Sequence, residues 1–111
     1  MSNGIVAKLD TLRSLAYGSI SGTYAAIGSP LTYAANAFRF INNTNGDMFV
    51  SDDGTNDKLF VPAGSFVLYD VASNKVVPGN NLKMAALTQF YVRYSSSPSS
   101  GSVYLEIIYQ N

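Results

Sequence analysis

The sequence predicts an all-β fold, an antiparallel β-sandwich or jelly roll of about seven or eight short strands. The first observation is the period-two alternation of apolar residues at 38–40, 66–71, 90–94 and 103–110. The second is that segments rich in Gly, Pro, Asn, Asp and Ser separate these runs, at 28–30, 42–47, 52–57, 62–65, 78–81 and 95–102. The third is the lack of the strand–helix alternation that a parallel sheet requires. A chain of 111 residues has room for one domain and one core.

The clearest strand is the run at 103–110, which is rich in β-branched and aromatic residues. Its odd-numbered residues are all aliphatic or aromatic, and Glu106, its one charge, falls on the other face beside further large apolar residues. We therefore expect a central strand whose second face is at least partly covered. The residues expected in the core are Phe40, Phe66, Leu68, Val92, Leu105 and Ile107.

Two dipeptides predict tight turns. Asn45-Gly46 stands between two apolar runs and is typical of a β-hairpin. Asp53-Gly54 predicts a second tight reversal. Residues 82–87 fit either a helical turn or an edge segment, and the pattern leaves both open.

The N-terminal segment has the one helical pattern in the chain, over residues 3–15, with Ser2 or Asn3 as a cap. Because the pattern is short, a flexible or docking arm is an equal alternative. The expected organisation is an N-terminal arm at 1–12 followed by a β-sandwich domain at 13–111. The apolar residues of the arm, expected at an interface, are Ile5, Val6, Leu9 and Leu12.

The charge pattern excludes several kinds of partner. Seven basic and seven acidic residues give zero net charge and are scattered, so no cluster could neutralise a run of phosphates and we expect no nucleic-acid binding. No apolar run approaches the roughly 18 residues that span a bilayer, so we expect no membrane partner. The first ten residues lack the pattern of a signal peptide, so we expect synthesis in the cytoplasm, followed either by retention there or by exit through a route other than secretion.

Charged residues are scarce, at 13%, which is about half the usual share of a soluble domain. A subunit that is buried between neighbours needs less charge to stay in solution than a free monomer does. Alternatively, Asn, Ser, Thr and Gly supply the polarity. The composition does not separate the two.

The chain contains no histidine and no cysteine. The common general base, the usual nucleophile pairs, the usual zinc ligands and any disulfide are therefore missing. A glycosidase-like pair of carboxylates stays formally open, but nothing singles one out. We expect no enzyme, no catalytic residues and no cofactor.

The acidic segment at 52–57 has two interpretations. Oxygen ligands close together on a loop suit calcium. The spacing does not match an EF-hand loop, however, and Asp, Asn and Gly are also what a tight turn requires. We therefore expect a plain turn and no metal site.

The aromatic residues comprise eight tyrosines and six phenylalanines, which invite comparison with sugar-binding surfaces. Most of them lie on alternating runs, so core packing is the first interpretation. Tyrosine is also favoured at protein interfaces. The tyrosines outside the clearest strands, expected at an interface, are Tyr17, Tyr24 and Tyr33.

Several motifs resemble those of small virion structural proteins of tailed bacteriophages. They are ISGTY at 20–24 with IGSPL at 27–31, NNT at 42–44, SDDGTND at 51–57, VPAGSFVLYD at 61–70 and PSSGSVYLEIIY at 98–109. The resemblance covers nearly the whole chain from Leu12 onward and is carried by turns and strands rather than by catalytic residues. It implies a β-sandwich that assembles in symmetric copies, at the head–tail neck, in the tail or as a capsid decoration, and that is located in the virion. It also implies a hairpin as the last element.

The leading functional hypothesis is a non-catalytic structural subunit of a bacteriophage particle, which would bind other virion proteins and copies of itself. The alternative is a small carbohydrate-binding, lectin-like module that recognises a glycan on the host surface.

Overall fold

The computed structural model describes residues 7–70, 75–77, 80–81 and 84–110, which form two antiparallel sheets packed together as a β-sandwich. The larger sheet has the order β1-β11-β4-β7, and β2 pairs with β11 on the same side as β1. Its strands are β1 (Ala7–Leu9), β2 (Arg13–Ala16), β4 (Ala35–Thr44), β7 (Phe66–Asp70) and β11 (Gly101–Gln110). The predicted all-β class is confirmed.

The smaller sheet has the order β3-β10-β5-β6. Its strands are β3 (Ala25–Ala26), β5 (Met48–Ser51), β6 (Leu59–Val61) and β10 (Tyr91–Tyr94). Within the described ranges, the other elements are a separate antiparallel pair, β8 (Lys75–Val77) with β9 (Asn80–Asn81), and a 3-10 turn at Tyr17–Ser19.

The core lies between the two sheets. Strand β11 is central, as predicted, and pairs with β4 along almost its whole length. Because side chains alternate between the two faces of a strand, its odd-numbered residues point inward, against the inward residues of the smaller sheet. Of the predicted core residues, four are confirmed as buried: Phe40, Val92, Leu105 and Ile107.

The prediction that Phe66 and Leu68 lie in the core is wrong. They are 57% and 61% exposed on the outer face of the larger sheet. The reason is register: Leu68 lies opposite Arg39 of β4, whose side chain points outward, while Val67 lies opposite the buried Phe40. A strand with large apolar residues at both parities does not reveal from its own sequence which set points inward.

The predicted hairpin at Asn45-Gly46 is also wrong. The flanking strands β4 and β5 belong to different sheets and do not pair, so this turn carries the chain across the sandwich. A buried polar network holds the crossing: Asn42 donates from Nδ2 to the Gly46 and Val61 carbonyls, both at 2.9 Å, and its Oδ1 accepts from the Thr44 hydroxyl at 2.7 Å. Such a network specifies one path for the chain because each of these buried polar groups has a partner.

The last two strands, β10 and β11, likewise lie in different sheets, so the terminal hairpin that the resemblance implied is not formed. The two crossing segments bind each other at one end of the sandwich. Asn45 donates to the Ser99 hydroxyl and accepts from the Ser99 amide, both at 2.7 Å. A Cβ at Gly46 would lie 2.3 Å from the Ser96 carbonyl oxygen, so only glycine permits this approach.

The N-terminal segment is extended where the structure describes it, so the helical interpretation is wrong for residues 7–15. Strands β1 and β2 both pair with β11 and are separated by a short break. Arg13 fixes the break from a buried position, with an ion pair to Asp10 at 3.4 Å and hydrogen bonds to the carbonyls of Thr11, Ser29 and Pro30 at 2.7–2.9 Å. A charged side chain is tolerated at such depth only with partners of this kind.

Residues 84–87 distinguish between the two alternatives for 82–87, a helical turn or an edge segment, in the described part of that segment. Met84 forms an isolated antiparallel bridge with Ala35, and a turn follows at 86–87. The segment is therefore an edge contact in its described part, and Leu82 lies outside the described residues.

Candidate interaction surfaces

The outer face of the larger sheet is apolar and open. Its outward side chains come from all four positions across the sheet, because β1, β11, β4 and β7 are paired in register. We call this surface the apolar face and define it by the exposed residues Leu9 (77%), Leu12 (56%), Phe66 (57%), Leu68 (61%) and Ile108 (38%). Exposed apolar residues that gather on one surface typically mark an interaction site.

A groove of about 440 Å³ runs within the apolar face. Leu9 and Leu12 line one side, Leu68 lines the other, and the small side chain of Ala37 leaves room between them. The groove is therefore bounded by apolar side chains from the two opposite edges of the sheet.

One ion pair lies in the middle of the apolar face. Arg39 on β4 and Glu106 on β11 are directly opposite each other in the register, and Nε of Arg39 is 2.6 Å from Oε1 of Glu106. The hydrogen bond to Glu106 raises the pKa of the Arg39 guanidinium. The two side chains are about 40% exposed, and the guanidinium also lies 5.6 Å from the centre of the Phe66 ring.

The outer face of the smaller sheet is organised differently. The guanidinium of Arg93 lies 4.6 Å from the centre of the Phe49 ring and 5.6 Å from that of Tyr24. It also forms a two-pronged ion pair with Asp57, at 3.0 and 2.7 Å. Asp57 belongs to the loop at 52–58, so this ion pair holds the loop against the sheet. We call this cluster of Arg93, Asp57, Tyr24 and Phe49 the latch.

The electrostatics of the latch follow from its contacts. The Tyr24 hydroxyl donates a hydrogen bond to Asp57. Burial, followed by the contact with the Asp57 carboxylate, raises the pKa of Tyr24 to about 12. Hydrogen bonds from Arg93 and Tyr24 lower the pKa of Asp57. The aromatic and charged groups therefore satisfy one another within the chain.

The segment at 52–57 is an Asp-centred turn. Asp53 accepts hydrogen bonds at Oδ1 from the Thr55 and Asn56 amides, at 2.8 and 2.9 Å, and from the Ser51 hydroxyl at 2.7 Å. These bonds lower its pKa well below the usual range. Lys58 pairs with Asp52 at 2.9 Å. Among the described residues no group of three acidic, His or Cys side chains is placed to hold a metal ion.

The predicted interface residues do not gather in one place. Leu9 and Leu12 lie together on the apolar face, whereas Tyr24 belongs to the latch on the opposite side of the sandwich. Tyr33 is 45% exposed and stacks on Tyr109, with ring centres 4.1 Å apart. The remaining members are Tyr17, which is exposed in the 3-10 turn, and Ile5 and Val6, which lie outside the described residues.

Sequence reasoning placed Phe66 and Leu68 in the core and missed their part in this surface. A signal for the correct assignment is present in the alternation itself. Asp70 shares the parity of Phe66 and Leu68, just as Arg39 and Glu106 mark the outward parity of their own strands. A charge of the same parity indicates the solvent side of a strand.

Comparison with known proteins finds no matching family model and no matching curated protein. The fold is similar to solved structures. One comes from the capsid asymmetric unit of cyanophage Pam1, with a TM-score of 0.52, 13% identity and coverage of 99% of this chain and 88% of that one. Another comes from Bacillus endospore appendages, described as disulfide-linked pili, with a TM-score of 0.51, 11% identity and coverage of 96% and 90%.

A weaker likeness, with a TM-score of 0.42 and 9% identity, is to the Dit protein of phage SPP1; it covers 93% of this chain and 49% of that one. At these identities the likeness to the capsid and pilus proteins shows a shared fold and does not show a shared function. In the part of the chain that the structure describes, no helix has the length and apolar character to cross a bilayer.

Proposed function

We propose that the chain is a non-catalytic structural subunit of a bacteriophage particle, which mediates protein–protein assembly at the head–tail neck, in the tail or on the capsid surface. The observation that carries this proposal is the apolar face. Its five large side chains are 38–77% exposed, and burying them against a neighbour would be favourable by roughly 25 cal/mol for each Å² of apolar surface removed from water.

Two further observations support an assembly role. Charged residues are scarce, as is expected of a subunit whose surface is partly buried by neighbouring subunits. The fold is similar to that of a phage capsid chain over nearly its full length. The pilus protein with the same fold belongs to a disulfide-linked assembly, and the 111 residues here contain no cysteine for such a link.

The proposed interface combines predicted and newly found residues. Leu9 and Leu12 belong to the predicted set and lie on the apolar face beside Leu68. Ile5 and Val6 would extend the contact from the N-terminal arm, which we propose to touch another chain. The interface role of the tyrosines Tyr17, Tyr24 and Tyr33 remains a prediction, and Tyr24 lies on the opposite outer face.

The lectin-like alternative rests on aromatic side chains at the outer face of the smaller sheet. Phe60 is 50% exposed there and lies 5.3 Å from Phe49, ring centre to ring centre. The rings of Phe49 and Tyr24, however, already contact Arg93 of the same chain. Sugar stacking would have to compete with these contacts, so this geometry favours the assembly hypothesis.

The test is mass spectrometry of gradient-purified particles of the phage whose genome encodes this chain, together with a glycan array. We expect the chain in the particles in a fixed ratio to the major capsid protein and no glycan signal above that of an unrelated β-sandwich. If the chain is absent from the particles, the proposal fails. If it binds one glycan class and loses this binding in a Phe60→Ala variant, the lectin-like alternative replaces it.

A further inference from the structure

The apolar face carries its own indication of what docks on it. We propose that this face packs against the same face of a second copy of this chain, about a two-fold axis. The inference rests on the proposed function as an assembly subunit and names the partner. Identical subunits most often associate through closed rotational symmetry, and a two-fold contact requires a surface that is complementary to itself.

The charges of the face meet this requirement. Arg39 and Glu106 are a registered pair on the adjacent strands β4 and β11. Two copies can face each other through their larger sheets, related by a two-fold axis that runs parallel to the strands along the line between β4 and β11. This rotation places β4 of each copy over β11 of the other copy. Arg39 of each copy then stands over Glu106 of the other copy, and four charges alternate in sign across the contact.

The ion pair also has capacity for this second contact. Arg39 uses Nε for Glu106, and among the described residues no other acceptor receives a hydrogen bond from its guanidinium. Arginine carries five N–H donors, and the fork of its terminal nitrogens fits a carboxylate with two parallel hydrogen bonds. A carboxylate from the second copy is the acceptor that this fork can take.

The apolar residues follow the same symmetry. Strands β1 and β7 lie at opposite edges of the sheet, so the same axis places β1 of one copy over β7 of the other. Leu12, on one side of the groove, would then face Leu68 on the other side, whereas Leu9, which lies at the level of Asp70 in the register, would face Asp70. The contact buries apolar side chains on both flanks of the central charges.

The size of the face suits a stable contact. The sheet is about 19 Å wide, and β4 and β11 span about 33 Å, but β7 and the two strands β1 and β2 are shorter. The projected area of these strands is therefore on the order of 500 Å², and the relief of the side chains brings the accessible area towards the roughly 600 Å² per partner at the lower end of stable interfaces.

The experiment is a charge exchange read by sedimentation equilibrium. Arg39→Glu makes both positions of the ion pair negative, and Glu106→Arg makes both positions positive. Because like charges would then meet across the axis, we expect each variant alone to dimerise at least about tenfold more weakly than the wild-type chain. Mixed in equal amounts, the two variants should form a one-to-one heterodimer, since opposite charges meet again.

Controls separate this result from misfolding. Circular dichroism of each variant should show the wild-type β-sheet spectrum, and Phe60→Asp on the opposite outer face should dimerise like the wild-type chain. If a charge variant does not fold, Leu68→Asp replaces it and should be monomeric. The proposal is wrong if the wild-type chain stays monomeric at about 100 μM, if the folded charge variants dimerise as well as the wild type, or if their mixture stays monomeric. The particle measurement is independent, so a monomer that is present in particles would overturn this inference and leave the proposed function standing.

Discussion

The two outer faces of the sandwich differ in how their side chains are satisfied. On the smaller sheet, the latch places Arg93 against two aromatic rings and pairs it with Asp57 of the loop at 52–58. On the larger sheet, Leu9, Leu12 and Leu68 are more than half exposed around the ion pair of Arg39 with Glu106. Contacts within the chain satisfy the charged and aromatic groups of the latch, whereas the apolar face presents exposed aliphatic side chains, on which the proposal of a neighbouring subunit rests. This difference, rather than the fold class, is what points to a function.

The largest expected effect is a difference in the free energy of unfolding between truncations on the inner and on the outer face of the larger sheet. Leu105→Ala removes a fully buried side chain of β11 and should lower the free energy of unfolding by about 2–5 kcal/mol. Leu68→Ala, the matched control on the outer face, should cost less than about 1 kcal/mol at low protein concentration. Urea denaturation of both variants measures this contrast. Equal losses would mean that the apolar face is part of the core.

The next effect concerns the latch at high pH. The pKa of Tyr24 is raised from its usual 10.0 to about 12 in the folded state, so its contribution to stability is complete below pH 10 and is lost as the pH rises towards 12. We expect the difference in tyrosinate absorbance between the wild-type chain and Tyr24→Phe to have its midpoint near 12. A midpoint near 10 would show that Tyr24 is not buried against Asp57 in solution.

The latch should also respond to acid. Arg93 and Tyr24 lower the pKa of Asp57 in the folded state. The contribution of Asp57 to stability is therefore present above the usual aspartate pKa of about 3.9 and is lost as the pH falls through the lowered value. Because Asp57→Asn removes the same negative charge at neutral pH, this variant should show faster amide exchange in the loop at 52–58, with unchanged exchange in β11. Unchanged exchange in the loop would show that the ion pair does not hold it.

The smallest expected effect is that of a chelator. The turn at 52–57 is organised by hydrogen bonds to Asp53 and by Lys58, so EDTA should leave the thermal midpoint of unfolding unchanged. A midpoint that falls sharply with EDTA and returns with calcium would make the turn a metal site.

The alternation at 103–110 was enough to predict a central strand, because one parity is wholly aliphatic or aromatic and the other contains Glu106. The same reasoning failed at 66–70, where both parities are apolar and the register with β4 decides which one is buried. The crossing at Asn45-Gly46 was also beyond local reasoning, since a turn between sheets and a hairpin use the same residues. What distinguishes them is the buried bonding of Asn42 to Val61, which is distant in the sequence.

The burial of Arg13 had no signal in the sequence. Arginine is normally exposed, and the carbonyl groups of Ser29 and Pro30 that hold it come from a loop 16 and 17 residues away. The sequence predicted only part of the candidate interaction surface: Leu9 and Leu12 were assigned to an interface, while Leu68 was assigned to the core. Only the pairing of β1 with β11, of β11 with β4 and of β4 with β7 brings these side chains onto one surface.

The measurement that tests the central claim most directly is the incorporation of two matched variants into particles. Leu68→Asp places a charge on the apolar face, and Phe60→Asp places the same charge on a residue of similar exposure on the opposite outer face. Particles assembled with each variant in place of the wild-type chain are purified and the copy number of the chain is measured by mass spectrometry. We expect Phe60→Asp at the wild-type copy number and Leu68→Asp, folded by circular dichroism, to be depleted at least about tenfold. Equal incorporation of the two variants would contradict the assignment of the apolar face to assembly.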